Sequence, residues 1–255
     1  LEAIGSSGSI EALRCALKSN DGHARKTAAR ALGRLEGEYA ANDLFAALEK
    51  EVYRDVIEEI ADVLSIIPSE AVRSGFCRLL ESENAVFREM AARGLGASGN
   101  EQSLVELAKA AVDSSADVRK AAYRSIARLG IPEGIDLIAK GLQDKDDDVR
   151  LSILKALGGW SGTAVEELIE STFNDPNVWV RYHCAVLLGE LGGPKAEKLL
   201  IKRLVSDEAQ VKAACAMALE RLGAQSALPA LESLIDHPDA NVRAAVENAI
   251  GGLGC

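Results

Sequence analysis

Aromatic side chains are scarce in this 255-residue chain, 4% of the total, although 48% of its residues are apolar. A core so apolar and so poor in rings is filled by aliphatic and small side chains, which lets packed helices approach to about 8–10 Å. Long apolar runs are missing as well: none approaches the roughly 18 residues of a membrane-spanning helix, so no span is expected. The histidines, His23, His183 and His237, are far apart, and no cluster has metal-ligand spacing, so neither metal nor cofactor is expected. Five cysteines, Cys15, Cys77, Cys184, Cys215 and Cys255, are odd in number and form no Cys-x-x-Cys pair. With no disulfide framework and no signal segment, the expected compartment is reducing, the cytoplasm. Positive charge is outweighed, 29 Lys and Arg against 39 Asp and Glu for a net charge of −10, which argues against a phosphate-tracking surface. Glycine-rich phosphate loops and serine elbows are absent too, so no catalytic residue is nominated and an enzyme is not the favoured reading.

What the chain does have is a period. Arg25, Ile57, Arg88, Arg119, Arg150, Arg181, Lys212 and Arg243 recur at intervals of 31 residues, the first interval being 32. A fixed spacing of this size means stacked copies of one supersecondary unit. One position before this marker the column reads Ala24, Val56, Phe87, Val118, Val149, Val180, Val211 and Val242; seven after it reads Leu32, Leu64, Leu95, Ile126, Leu157, Leu188, Leu219 and Ile250. The +3 and +10 columns are mostly apolar too, with Cys184 and Cys215 at +3, Trp160 and Ser98 at +10. Offsets −1, +3, +7 and +10 trace one stripe of a helix.

Four residues before the marker stand Asp21, Tyr53, Asn84, Ser115, Asp146, Asn177, Glu208 and Asp239, mostly good N-cap residues, which places a helix start there. A second, shorter apolar-periodic segment precedes each such helix, as in Ile10-Leu13-Leu17 and Leu104-Leu107. Each repeat is therefore an antiparallel helix pair and the fold is all-α, since no segment alternates as a strand does. Pro132 and Pro194 suit starts of the first helix of a pair and Pro176 and Pro238 starts of the second, whereas Pro229 is expected to kink a helix. Trp160 is expected in the core.

The fragment Asp117 to Gly130, DVRKAAYRSIARLG, with its relatives VRLSILKALGGW and VRYHCAVLLGELG, resembles the HEAT-like repeats of the phycobilisome-lyase type along the whole chain. The resemblance implies a right-handed α-solenoid, an α/α superhelix of about eight helical hairpins forming a single domain over residues 1–255. Leu1 and Ile4 fit the +7 and +10 slots of a preceding repeat, so a segment of a longer protein is expected. In that family an aspartate six residues before the marker arginine pairs with it, which implies a structural ladder of Asp113 with Arg119, Asp144 with Arg150 and Asp175 with Arg181. Ser19, Glu51, Ser82, Ser206 and His237 fill the aspartate slot elsewhere, and Ile57 and Lys212 the arginine slot, so a continuous ladder is expected only in repeats 4 to 6.

The resemblance also implies that the second helix of each pair lines a concave groove, with offsets −2, +1, +2, +5 and +9 facing outward. Those slots hold nine basic residues, Lys26, Arg30, Arg34, Arg93, Lys120, Arg124, Arg128, Lys155 and Arg221, and eight acidic ones, Asp55, Glu58, Glu59, Asp62, Glu89, Asp117, Asp148 and Glu190. Near balance is a poor footprint for nucleic acid. Repeats 5 and 6 differ by placing Leu151, Lys155, Trp179, Tyr182, His183 and Val186 in these slots, with Met217 beside them in repeat 7. Exposed aromatics flanked by cations have the composition of a binding hot spot, so these residues, with Arg124 and Arg128, are the candidate partner-binding set. An equally open reading packs Trp179 and Tyr182 against neighbouring helices. The favoured function is a protein-protein interaction scaffold or adaptor holding a protein or peptide in its groove. A bilin lyase-like subunit, with Trp179, Tyr182 and His183 stacking on a tetrapyrrole, and a nucleic-acid-binding protein are the alternatives.

Overall fold

Each 31-residue period folds as two helices, called here outer and inner in chain order. The computed structural model describes residues 7–97 and 101–254, so Leu1, Ile4, Ser98 and Cys255 lie outside the described residues. The chain divides into two units, residues 1–137 and 138–255. In the first, outer helices α1 (Ser7–Ala16), α3 (Ala41–Leu48), α5 (Glu70–Leu79) and α7 (Ser103–Ala110) alternate with inner helices α2 (Gly22–Glu36), α4 (Arg54–Ser65), α6 (Ala85–Ala97) and α8 (Ala116–Leu129). Helix α9 (Ile135–Gly141) runs through the boundary. In the second unit, inner helices α10 (Asp147–Ala156), α12 (Val178–Leu191), α14 (Ala209–Arg221) and α16 (Ala240–Leu253) alternate with outer helices α11 (Thr163–Thr172), α13 (Pro194–Ser206) and α15 (Leu228–Glu232). Each inner helix packs on the next inner helix of its unit, so each unit is an α-solenoid. No strand occurs among the described residues.

The periodic stripe is the seam. Every +3 residue from Ala28 to Val246 is buried, as are the +7 residues from Leu32 to Leu219 and the −1 valines Val118, Val149, Val180, Val211 and Val242. Burying one of the Leu, Ile or Val side chains contributes on the order of 1.5–3 kcal/mol, and because successive inner helices pack on one another, no hairpin completes its core alone. Small residues set the spacing. A Cβ on Gly189 of α12 would stand 2.7 Å from the Ala218 Cβ of α14, and one on Gly96 of α6 would stand 2.3 Å from the Ser125 side chain of α8. The Ser125 hydroxyl crosses that seam to donate to the Ala92 carbonyl at 2.8 Å.

Inner helices begin where their caps stand. The side chains of Asp21, Asn84, Asp146, Asn177 and Asp239 accept from first-turn N–H groups, each replacing water on an otherwise orphaned donor. Tyr53, Ser115 and Glu208 hold the same N-cap position without a side-chain cap bond.

The ladder runs differently from the one implied by the sequence. Arg119, Arg150 and Arg181 each donate to the backbone carbonyl, not the carboxylate, of Asp113, Asp144 and Asp175 six residues before. For Asp113 and Asp175 the carboxylate goes to the preceding hairpin's arginine instead. Arg150 donates through Nε and Nη2 to the two Asp175 oxygens at 2.6 and 2.9 Å, and Arg88 reaches Asp113 in the same two-pronged way at 2.7 and 3.0 Å. The physical reason is local. Each aspartate turns its carboxylate back to accept from the N–H two residues on, Ser115 for Asp113 and Asn177 for Asp175, which leaves it open only toward the hairpin before. The ladder also extends past repeats 4 to 6: Arg25 pairs with Glu51 at 2.6 Å, and Arg181 with Asp207 and Glu208. At the Ile57 slot the rung is replaced by a buried aliphatic side chain. Arg88 holds the Asp113 carboxyl below the usual carboxylate range against the opposing effect of burial. Burial pushes Glu51 upward, but Arg25 and the N–H groups of Val52 and Tyr53 outweigh it, and its pKa also ends low.

Two further expectations need correcting. Pro229 does not kink a helix: it lies in the first turn of α15, after a 3-10 turn at Gln225–Ala227, where a missing N–H costs nothing. Trp160 is half-buried, not core, because α10 tightens into a 3-10 turn at Leu157–Gly159 and Trp160 leaves it in extended backbone.

Candidate partner-binding face

Helix α12 is unusual among the inner helices in carrying large apolar residues on its exposed side. Asn177 caps it by accepting from the Trp179 N–H at 2.8 Å, which sets Trp179 in the first turn. Tyr182 and His183 follow three and four residues later, on the same side of the helix. Trp179 and Tyr182 meet edge to face with ring centroids 5.8 Å apart, and Tyr182 and His183 do so at 5.3 Å. Trp179 keeps 52% of its surface in solvent and Met217 of α14 keeps 57%, so neither belongs to the core. Tyr182, His183, Val186 and Leu151 of α10 are half-buried, flooring the patch more than projecting from it, while Lys155 of α10 is exposed. Burial, and then the charge of Lys155, pushes the His183 imidazole below its usual pKa, which leaves it neutral at pH 7. This arrangement offers polarisable ring edges, a thioether, a neutral imidazole and one cation.

Arg124 and Arg128, on α8 of the first unit, are exposed and make no ion pair among the described residues. Apart from Arg34, the other inward charges of that unit answer one another. Lys26 meets Asp55 at 2.6 Å, Arg30 pairs with Glu59, Arg93 meets Asp62 at 3.3 Å, and Arg54 spans Glu58 and Glu89. The nearly balanced charge read from the sequence is thus largely consumed within the protein. The signal that would have revealed it is a spacing of 29 residues, seen in Lys26 with Asp55 and Arg30 with Glu59, because adjacent inner helices stack slightly out of register. A groove of about 700 Å³ between the ends of α2 and α4, bordered by Arg34, Ile66 and Pro68, also escaped the sequence reading.

Cys184 and Cys215 are buried free thiols, both pushed upward in pKa by burial. Among the described residues no group of three or more His, Cys, Asp or Glu is placed to hold a metal ion. No helix among them is long and apolar enough to cross a membrane.

The family model for HEAT repeats matches residues 1–65, 74–158 and 165–251. The chain belongs to the HEAT-repeat family. No curated protein sequence matches it. Among solved structures, this HEAT-repeat chain is similar to the karyopherin Kap121p bound to Nup53p, at 15% identity and a TM-score of 0.68, over 99% of this chain and 34% of that one. Kap121p bound to the extreme C-terminus of the protein phosphatase Cdc14p gives 14% and 0.69, again spanning about a third of the karyopherin. The E. coli protein YibA aligns at 20% identity and a TM-score of 0.62 over 96% of this chain and 92% of its own. These likenesses establish the fold.

Proposed function

We propose that this HEAT-repeat protein is a recognition module that holds a protein or peptide segment on the inner-helix face of its second unit, anchored at Trp179 and Tyr182. The observation that carries the reading is the half-exposed Trp179, braced edge to face on Tyr182 in a helix whose buried side already completes the seam. Large rings left in water on a rigid helix supply contact area at little conformational cost, and such residues dominate binding energies. The same fold offers a precedent, since Kap121p is seen with Nup53p and with a Cdc14p C-terminus.

The test uses peptides selected from a random display library against the whole chain. Replacing both Trp179 and Tyr182 with Ala should weaken the selected peptides by about 4 kcal/mol, roughly a thousandfold, at about 2 kcal/mol per hot-spot residue. The melting temperature should stay within a few degrees. Peptides that bind the double variant undiminished would refute the reading, and a collapse in stability would return both rings to structural duty.

A further inference from the structure

The inward charges, counted after pairing, are not balanced. In the first unit every inward acid is engaged: Asp55, Glu58, Glu59, Asp62 and Glu89 as above, and Asp117 with Lys120 at 2.8 Å. Arg34, Arg124 and Arg128 remain exposed without an ion pair among the described residues. In the second unit Glu190 is taken by Arg221 at 3.3 Å, leaving Lys155 and Asp148. A sequence count near neutrality therefore conceals three unanswered cations on the inner face of the first unit, while the second keeps one charge of each sign, Lys155 and Asp148.

Lys155 is the one that stands beside the ring patch. Its charge reaches His183, the slot equivalent to Lys155 on α12 holds Val186, and the +1 and +5 slots of α14 and α16 hold Ala213, Met217, Ala244 and Asn248, none of them charged. A cation in such surroundings is poorly screened once a partner covers it. Resting on the proposed function above, we infer that the occupant of this face is an acidic-apolar peptide segment, with a large apolar side chain on Trp179 and Met217 and a carboxylate at Lys155. Asp148 sets the direction. It lies seven residues before Lys155 on α10, about 10 Å along the helix, and repels acid at the opposite end of the patch. Crossing from α10 to α16 at about 8–10 Å per inner helix takes about 25–30 Å, or eight to nine residues of extended chain.

The experiment selects peptides of about nine random residues on the intact chain and, in parallel, on the Lys155→Glu variant. The native chain should enrich Asp and Glu together with Leu, Phe or Trp and deplete Lys and Arg, and K155E should reverse the charge preference. Individual acidic peptides should lose about five- to tenfold in affinity on K155E at low salt, the effect of a partly screened pair, with the melting temperature unchanged. Selected sets without charge bias, a basic bias on the native chain, or no response to K155E would overturn the inference. So would a single-stranded oligothymidine that displaces the peptides at comparable concentration, because the face would then read polyanions. Loss of all selected peptides on the Trp179 and Tyr182 double variant, without any charge bias, would sink this inference alone. Survival of binding on that variant would sink the parent reading.

Discussion

Replacing Asp175 with Ala removes one carboxylate and disturbs two hairpins. Arg150 would lose bonds of 2.6 and 2.9 Å, and the Asn177 N–H at the start of α12 would lose its 2.8 Å acceptor. The Arg150 and Asp175 side chains expose only 10% and 5% of their surface, so water replaces the lost partner poorly. Stranding one member of such a pair costs about 3–5 kcal/mol, and the lost capping bond adds about 1 kcal/mol. Arg150 keeps its bond to the Asp144 carbonyl at 2.7 Å, which favours the lower end of that range. Urea unfolding of Asp175→Ala, Arg150→Ala and the double variant would give a coupling energy of about 1–3 kcal/mol between the two sites. The matching cycle for Asp144→Ala with Arg150→Ala should come out below about 0.5 kcal/mol, because the carbonyl that Arg150 uses survives the substitution. Equal coupling in the two cycles, or the larger value at Asp144, would refute the inter-hairpin ladder.

Other outcomes follow from packing and titration. Glu51 and Asp113 sit below their usual pKa when folded, so their contribution is complete above the unfolded values of about 4.3 and 3.9 and drains away as pH falls through the folded ones. The urea midpoint should hold between about pH 7 and 5 and drop below about pH 4, with a shallower drop in a Glu51→Gln, Asp113→Asn double variant; an unchanged slope would count against the assignment. His183 should titrate by NMR below the ordinary value of about 6.5 and move part of the way back in Lys155→Met, the remaining depression being due to burial. An imidazole indifferent to that change would separate Lys155 from the patch. Gly189→Ala should cost about 1–3 kcal/mol by forcing α12 off α14, whereas Gly251→Ala, whose Cβ meets nothing within 4 Å, should stabilise α16 by about 0.5–1 kcal/mol; thermal melts of like sign for both would contradict the proposed spacing.

The seam was legible because it repeats. Val118, Val149 and Val180 occupy one column, and one column of one stripe has one fate on folding. Pairing across hairpins was not legible from a six-residue spacing, since Arg150 satisfies that spacing with a carbonyl, which every residue type carries. Trp160 misled because its column assumes a full helix, while two glycines let α10 close early. At the candidate face the sequence exposed the oddity of α12, where Trp179 and Tyr182 stand in slots that the first four copies give mostly to charged residues. It hid the pairing of Arg30 with Glu59, because stacking register exists only once helices lie side by side.

Cys184 and Cys215 occupy equivalent slots of α12 and α14, enclosed and protonated. An alkylating reagent therefore finds them only during the moments when those two helices part, and the reaction rate becomes an internal clock for that opening. Since Trp179 rides on the same helix as Cys184, a guest seated on the rings should slow the clock, giving occupancy a readout that needs no label on either molecule.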